Sequence, residues 1–195
     1  ELNCRLIKPA NFDASKSYPV LVYVYNGPGV QLITNTSLAA ASLWMHYLAN
    51  QYNYLVFTVD GRGSENRGRE FEQVLFRNLG EVEMRDQLAG VAHLRSLDFV
   101  NKDRIAVHGW SYGGFMTTNL LCTYPNVFTC GVAGGPVIDW KFYEIMYTER
   151  FMDTPESNPE GYSKTSLLNK AKNLEDKLLM IHGTQDDVVL WQHSL

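Results

Sequence analysis

The chain has 195 residues, 45% of them hydrophobic and 19% charged, which is the balance of one globular domain with a sizeable core. Lysine and arginine total 17 against 21 aspartate and glutamate residues, and the net charge of −4 argues against nucleic acid or an anionic membrane surface as the main partner. No apolar run approaches the ~18 residues of a transmembrane helix. Cys4, Cys122 and Cys130 follow no metal-ligand spacing, and the sequence predicts neither a metal nor a cofactor.

Strands and helices alternate along the first half of the sequence. Apolar or alternating runs predict strands, and apolar residues spaced three and four apart predict helices. In chain order we expect a strand at 2–9, a strand at 19–25, a helix at 37–50 that begins at Ser37, a strand at 54–60 and a helix at 81–97. The strand at 54–60 contains the short apolar run LVF, which indicates burial on both faces.

The second half continues the alternation. We expect a strand at 104–109, a helix at 113–124 that Pro125 ends, a strand at 127–135, helices at 138–151 and 164–173, and a last strand at 178–183. Strands separated by helices are typical of a parallel sheet that helices cover on both faces. The sequence therefore predicts a single α/β domain over residues 1–195, with a mostly parallel sheet.

The stretch HGWSYGG at residues 108–114 places one serine between glycines. A strand is predicted to run into Ser111 and a helix to run out of it, which is the context in which G-x-S-x-G indicates a nucleophile elbow. Side chains two residues before and two after the serine would collide in so sharp a turn, so Gly109 and Gly113 are required there. The following helix directs its free N–H groups toward negative charge that develops at the serine.

A serine hydroxyl is a weak nucleophile without a base, and the base needs an orienting carboxylate. In α/β-hydrolases the chain order is nucleophile, acid, histidine, with the acid at the end of a later strand. The loop after the strand at 178–183 offers Asp186 and Asp187. The alternative is that these carboxylates cap the helix that follows, since aspartate is favoured at helix N-termini.

None of the five histidines stands where this order requires the base. Three precede the serine, one ends the strand that delivers the acid, and the last follows Asp186 by only seven residues (His46, His93, His108, His182 and His193). Each is interpreted as a packing or surface residue. We expect the base to lie beyond Leu195 and the 195-residue chain by itself to be inactive.

Five stretches in order, VYVYNGPG, DGRGS, GWSYGG, WKFYEIMYTER and IHGTQDD, resemble the catalytic domain of the prolyl oligopeptidase family. The pair GWSYGG and YTER is similar to the dipeptidyl peptidase IV branch of that family. The resemblance runs from about Leu2 to the end of the chain. It implies an α/β-hydrolase fold, truncated at its C-terminus, and a serine peptidase that removes a dipeptide from a free N-terminus when proline or alanine is second.

The resemblance also implies roles for individual residues. Ser111 would be the nucleophile and Asp186 the acid, and the oxyanion hole would consist of the Tyr25 hydroxyl and the backbone N–H of Tyr112. A flat apolar box would receive the proline ring without offering a partner to a charged side chain. The substrate-binding residues would be Trp110, Val137, Trp140, Tyr143, Tyr147 and Val189. The spacing of Trp140, Tyr143 and Tyr147 also fits an ordinary core stripe on one helix face.

The chain departs from the pattern of the branch at one substrate position. Val188 stands two residues after the acid, where the branch usually has an asparagine that helps to hold the substrate backbone. The resemblance further implies a β-propeller upstream, whose glutamates bind the free amino group, and a histidine downstream. It implies a periplasmic, secreted or membrane-anchored parent protein, often a homodimer.

Other functions stay open at this point. An esterase or lipase of the same fold, an acyl-aminoacyl peptidase, or a non-catalytic relative used for binding would share the elbow. A nucleotide-binding domain is disfavoured because GRGSEN at 61–66 fails G-x-G-x-x-G and no G-K-[ST] occurs. A metal hydrolase would need H-E-x-x-H or paired histidines, which the sequence lacks.

Overall fold

One six-stranded sheet organises the computed structural model, which describes residues 1–195. The strand order is β1-β3-β2-β4-β5-β6, and only β1 runs antiparallel to its neighbour. The strands are β1 (Asn3–Ile7), β2 (Tyr18–Tyr23), β3 (Leu55–Asp60), β4 (Val100–Trp110), β5 (Cys130–Gly134) and β6 (Lys177–Ile181). The prediction of a mostly parallel sheet is confirmed, with all six strands close to their expected positions.

Six α-helices connect or follow these strands. They are α1 (Leu43–Tyr52), α2 (Arg69–Glu72), α3 (Glu81–Arg95), α4 (Tyr112–Thr123), α5 (Ile145–Met152) and α6 (Pro159–Thr165). Six short 3-10 turns accompany them, at 37–40, 73–75, 140–142, 167–169, 171–173 and 191–194. None of the helices combines the length and the hydropathy that a bilayer-spanning segment needs.

Helices cover both faces of the sheet, as predicted. Along β3, Leu55, Phe57 and Val59 point into the larger core, where α3 and α4 pack. Val56 points to the opposite face and joins a smaller cluster with Met45 and Ala49 of α1. Alternate residues of one strand therefore fill two cores, which explains why consecutive residues of the strand are apolar.

The parallel arrangement brings four loops to one edge of the sheet. The strands β2, β4, β5 and β6 all end at this edge, because parallel strands share their direction. Tyr25 follows β2, Ser111 follows β4, Val137 follows β5 and Asp186 follows β6. Residues that are far apart in the sequence thus meet at the carboxyl ends of the strands.

The expected helix at 37–50 is wrong in its first part. Residues 37–40 form a 3-10 turn with Leu38 and Ala39 in left-handed backbone conformation, and α1 begins only at Leu43. The guanidinium of Arg5 donates hydrogen bonds to the carbonyls of Leu32 and Ala39. This contact from β1 draws the Ala39 carbonyl away from the helical bonding that local spacing favoured.

The expected helices at 138–151 and 164–173 are also interrupted. The carboxylate of Asp139 accepts the N–H of Lys141 and the hydroxyl of Ser166, which ends the first turn early and leaves Tyr143 extended before α5. The second helix, α6, begins earlier than expected. Asn158 caps α6 through the N–H of Gly161 and Pro159 occupies its first position, which together form the start signal of this helix.

Candidate active site

Ser111 lies at the turn between β4 and α4 in strained geometry. Its φ of 59° and ψ of −116° place a non-glycine residue in a conformation that costs on the order of 1–3 kcal/mol. The turn is held from both sides, since the Ser111 N–H donates to the carbonyl of Gly134 and its own carbonyl accepts from the N–H of Phe115. The nucleophile elbow that the sequence predicts is therefore present.

The three glycines around the serine are required by close backbone approach. A Cβ on Gly109 would lie 2.3 Å from the carbonyl oxygen of Val24, and one on Gly113 would lie 2.2 Å from the same atom. Gly114 has a separate reason, because its Cβ would lie 2.5 Å from the carbonyl oxygen of Gly134 in β5. The first two glycines bring the elbow against the end of β2, and the third brings α4 against β5.

Tyr25 lies beside the serine and keeps its proton. Tyr25 and Ser111 line the same small cavity. Burial raises the pKa of Tyr25, and the neighbouring Ser111 hydroxyl opposes this shift only in part. The phenol therefore stays protonated across the neutral range and is able to donate a hydrogen bond, as an oxyanion-hole residue must.

The loop that carries Tyr25 is anchored by the next residue. Asn26 is buried with a φ of 60°, and its amide oxygen accepts from Gln87 of α3 while its amide nitrogen donates to the carbonyl of Arg62. These long-range hydrogen bonds fix the chain immediately after the tyrosine. Nothing in the local sequence pattern indicated this role for Asn26 or Gln87.

Tyr112 is fully buried and is the first residue of α4. Its N–H has no acceptor within the helix because of that position, so it is free to face an oxyanion. Its ring packs against Tyr25, Phe115 and Trp140, with centroid separations of 6.0, 5.4 and 5.4 Å. Its hydroxyl donates to Glu83 Oε1 at 2.6 Å.

An aromatic cavity of about 30 Å³ opens beside the serine. The rings of Trp140 and Tyr147 are stacked at 6.0 Å, and Tyr143 meets both of them edge-on. No charged side chain lines it. The lining residues are Tyr25, Ser111, Tyr112, Val137, Trp140, Tyr143 and Tyr147. Four of the six predicted substrate-binding residues thus converge, although the chain bends between Trp140 and Tyr147 and does not present them on one continuous helix.

Two predicted substrate contacts, Trp110 and Val189, lie outside the lining of this cavity. Trp110 is 46% exposed, with its ring over Gly134 and Gly135. Val189 is buried in the main core. A direct role for either residue in substrate binding stays a prediction.

Asp186 takes the capping role that the sequence offered as one alternative, and its role as the catalytic acid stays a prediction. Its Oδ1 accepts the N–H groups of Val188 and Val189 and so caps the turn. Its Oδ2 lies 3.7 Å from Nε2 of His182 and near Gly135. One oxygen organises the loop, and the other is left for a further partner. Asp187 is exposed, and so is Val188.

None of the five histidines hydrogen-bonds to Ser111. His108 bonds to the carbonyl of Val132, and His182 bonds to Ser194 and to the carbonyl of Val189. His193 is buried and accepts the N–H of Ile138, and burial lowers its pKa and keeps it neutral. The location of a general base therefore stays a prediction. No cluster of three or more potential metal-ligating side chains is present.

Glu83 is the residue near the site that sequence analysis missed. This glutamate of α3 is completely buried, and its Oε1 accepts both the Tyr112 hydroxyl and the N–H of Gly80, while Oε2 has no partner. Its position in the first turn of a helix that follows a glycine was visible in the sequence. Its burial was not, because charged residues are almost never fully buried without a partner.

Burial of Glu83 predicts an unusual pH dependence of stability. The pKa of Glu83 is raised from 4.5 to about 7, because desolvation outweighs the hydrogen bonds from Tyr112 and Gly80. The folded protein binds this proton more tightly than the unfolded chain, so stability from this group is fully present below pH ~4.5 and is lost as pH rises through ~7. The expected loss is on the order of 3 kcal/mol. Denaturant unfolding at pH 5 and pH 8 should show a larger decline for the wild type than for Glu83→Gln, and parallel declines would contradict this.

Comparisons with known proteins agree with this geometry. The family model described as the prolyl oligopeptidase family matches residues 39–195. Dipeptidyl peptidase 4 of Sus scrofa is 39% identical over 97% of this chain. The structure of Porphyromonas gingivalis dipeptidyl peptidase 4 matches 99% of this chain with a TM-score of 0.93 and 41% identity.

A Bacteroides ovatus protein assigned as a dipeptidyl aminopeptidase IV is similar as well. Its structure matches 99% of this chain with a TM-score of 0.97 and 55% identity. The chain spans 27% of each of these two bacterial structures and 25% of the porcine protein. The match with the family model covers most of the chain, and the fold is the α/β-hydrolase domain of those structures. The chain belongs to the prolyl oligopeptidase family of serine peptidases.

Proposed function

We propose that the full-length protein containing this chain is a serine-type dipeptidyl peptidase that releases Xaa-Pro and Xaa-Ala dipeptides from peptide N-termini. The observation that carries the proposal is the uncharged aromatic cavity directly beside a serine in elbow geometry. Flat aromatic walls suit a rigid pyrrolidine ring or a methyl group chemically, whereas a charged side chain would lose its hydration there without finding a partner.

The chemistry would proceed through an acyl-enzyme. The Ser111 oxygen attacks the carbonyl carbon of the second substrate residue, and its proton passes to a histidine outside these 195 residues. The carbonyl oxygen becomes an oxyanion that accepts hydrogen bonds from the Tyr25 hydroxyl and the Tyr112 N–H. The amine leaves with the proton, and water then releases the dipeptide by the reverse steps. Asp186 would orient the histidine through its free Oδ2.

Recognition of the free amino group belongs to other parts of the full-length protein. The lining residues of the cavity include no acidic side chain that could bind an ammonium group. The relatives are about four times longer than this chain, which leaves room for a β-propeller upstream and for a homodimer interface. A periplasmic, secreted or membrane-anchored location is proposed on the same resemblance.

Release of p-nitroaniline from Gly-Pro-p-nitroanilide by the full-length protein would test this function. The matched substrate is the same compound with an acetylated amino group. Cleavage of the free-amine substrate alone is the expected result. Cleavage of both compounds would favour an endopeptidase or an acyl-aminoacyl peptidase. If the protein cleaves neither compound but hydrolyses a simple acyl ester, the proposal is wrong and the protein is an esterase.

A further inference from the structure

A buried hydrogen-bond chain connects α3 to the elbow. The N–H of Gly80 donates to Glu83 Oε1 at 2.9 Å, and the Tyr112 hydroxyl donates to the same oxygen at 2.6 Å. All three residues are buried. Tyr112 follows Ser111 directly, so the chain ends one peptide bond from the proposed nucleophile.

The elbow leaves Tyr112 little other polar support. Its N–H is free because it begins α4, and the Ser111 residue before it holds a strained backbone conformation. The hydrogen bond from the Phe115 N–H to the Ser111 carbonyl holds one end of the peptide that carries this N–H, and the position of the Tyr112 side chain holds the other end. The rings of Tyr25, Phe115 and Trp140 restrict the tyrosine ring on its sides, and the hydrogen bond to Glu83 fixes its far end.

We propose that Glu83 is a positioning residue of the oxyanion hole, which holds the Tyr112 side chain so that the Tyr112 N–H faces the developing oxyanion. The proposal rests on the proposed function, because it concerns the same acyl-transfer site. A buried carboxyl oxygen is suited to this task, since a hydrogen bond in a water-free interior is stronger than one at the surface. A misplacement of about 1 Å at such a site costs on the order of 10²-fold in rate.

A purely structural role for Glu83 would have a different signature. Glu83 also caps α3 through Gly80, so any substitution weakens the start of that helix. Tyr112→Phe leaves that capping bond intact and removes only the bond to the elbow. If Glu83 acts through Tyr112, the two substitutions should have the same effect on turnover, although only one of them disturbs α3.

The test is a double-mutant cycle in the full-length protein with Glu83→Leu, Tyr112→Phe and the combined variant. We expect each single variant to lower kcat about tenfold, with KM within about threefold because the aromatic box remains. The combined variant should be no slower than either single one. Glu83→Gln keeps an acceptor oxygen and should restore kcat to within about threefold of the wild type. Val91→Ala, which truncates a core residue of the same helix, serves as the control for lost stability.

Several outcomes would overturn the proposal. Multiplicative losses in the combined variant, an unchanged kcat in Tyr112→Phe, or an equal loss in Val91→Ala would each do so. If Glu83→Leu fails to fold, Tyr112→Phe and Glu83→Gln still decide, because the first must lose kcat and the second must keep it.

The rate at which a fluorophosphonate modifies Ser111 separates this proposal from the proposed function. That reaction uses the oxyanion hole without needing a peptide substrate. Modification of the wild type without peptidase turnover would overturn the proposed function alone. The double-mutant cycle would then compare the modification rates of the four proteins in place of kcat. An unreactive wild type would overturn both.

Discussion

Ser111→Ala in the full-length protein is expected to lower kcat for Gly-Pro-p-nitroanilide by about 10⁴- to 10⁶-fold. The substitution removes only one heavy atom, the hydroxyl oxygen, and the covalent acyl-enzyme cannot form without it. Binding should persist, because the aromatic cavity and both oxyanion donors remain. We expect KM or the inhibition constant of a proline-containing product to change by less than about threefold. The measurement is steady-state kinetics, with circular dichroism to verify folding.

Ser163→Ala is the matched control for this prediction. Ser163 is exposed in α6, and its hydroxyl makes no hydrogen bond. The control should retain wild-type turnover and shows that loss of a serine hydroxyl elsewhere is harmless. The unsubstituted 195-residue chain is a further sample, and we expect no turnover from it because none of its histidines hydrogen-bonds to Ser111. Turnover by Ser111→Ala above about 1% of the wild type would remove this serine from the mechanism.

The sheet and the elbow could be predicted from the sequence because local patterns specify them. Apolar runs such as 54–60 indicate buried strands, and the glycines around Ser111 stand only where a Cβ would collide with backbone. Given a parallel sheet, the ends of the strands must meet at one edge. The convergence of Tyr25, Ser111, Val137 and Asp186 therefore follows from the order of elements together with the family resemblance.

The features that could not be predicted depend on contacts between distant segments. Arg5 takes the Ala39 carbonyl out of a helix that local spacing favoured. Asp139 binds Ser166 and ends a turn that periodicity would have continued into α5. The sequence predicts that Glu83 is an exposed residue of an amphipathic helix. The packing of α3 against α4 buries it beneath Tyr112 instead. Tertiary contacts overrode local preference in each case.

Both proposed oxyanion donors are supported from the same helix. Glu83 and Gln87 are four residues apart and so lie on one face of α3. Glu83 accepts the Tyr112 hydroxyl, and Gln87 donates to Asn26, the residue after Tyr25. These two polar side chains of α3 are thus directed toward the site and away from solvent. This placement explains why a helix next to the core carries buried polar side chains at these two positions.

Gly113→Ala is expected to lower both the stability and the activity of the protein. The loss of stability follows from a comparison between the helical preference of alanine and the cost of a steric clash. Alanine is favoured over glycine inside a helix by about 1 kcal/mol. The added Cβ, however, would lie 2.2 Å from the carbonyl oxygen of Val24 and 3.3 Å from the Tyr25 Cα, and both are backbone atoms that cannot rotate away. Overpacking of this kind costs typically 1–3 kcal/mol and sometimes more. The clash should therefore outweigh the helical gain, with a net loss of about 1–2 kcal/mol in the free energy of unfolding.

The clash at Gly113 is expected to lower turnover strongly, because of the direction in which it displaces the backbone. Relief of the clash must move the end of β2 away from α4, and Tyr25 moves with it because it directly follows Val24. The distance between the two oxyanion donors then grows, and a shift of about 1 Å is expected to lower kcat on the order of 10²-fold. Gly183→Ala is the control, since its Cβ would meet no atom closer than 3.9 Å. Thermal unfolding and kcat of both variants check the prediction. A Gly113→Ala protein with wild-type turnover would mean that the approach of the elbow to β2 does not set the geometry of the site.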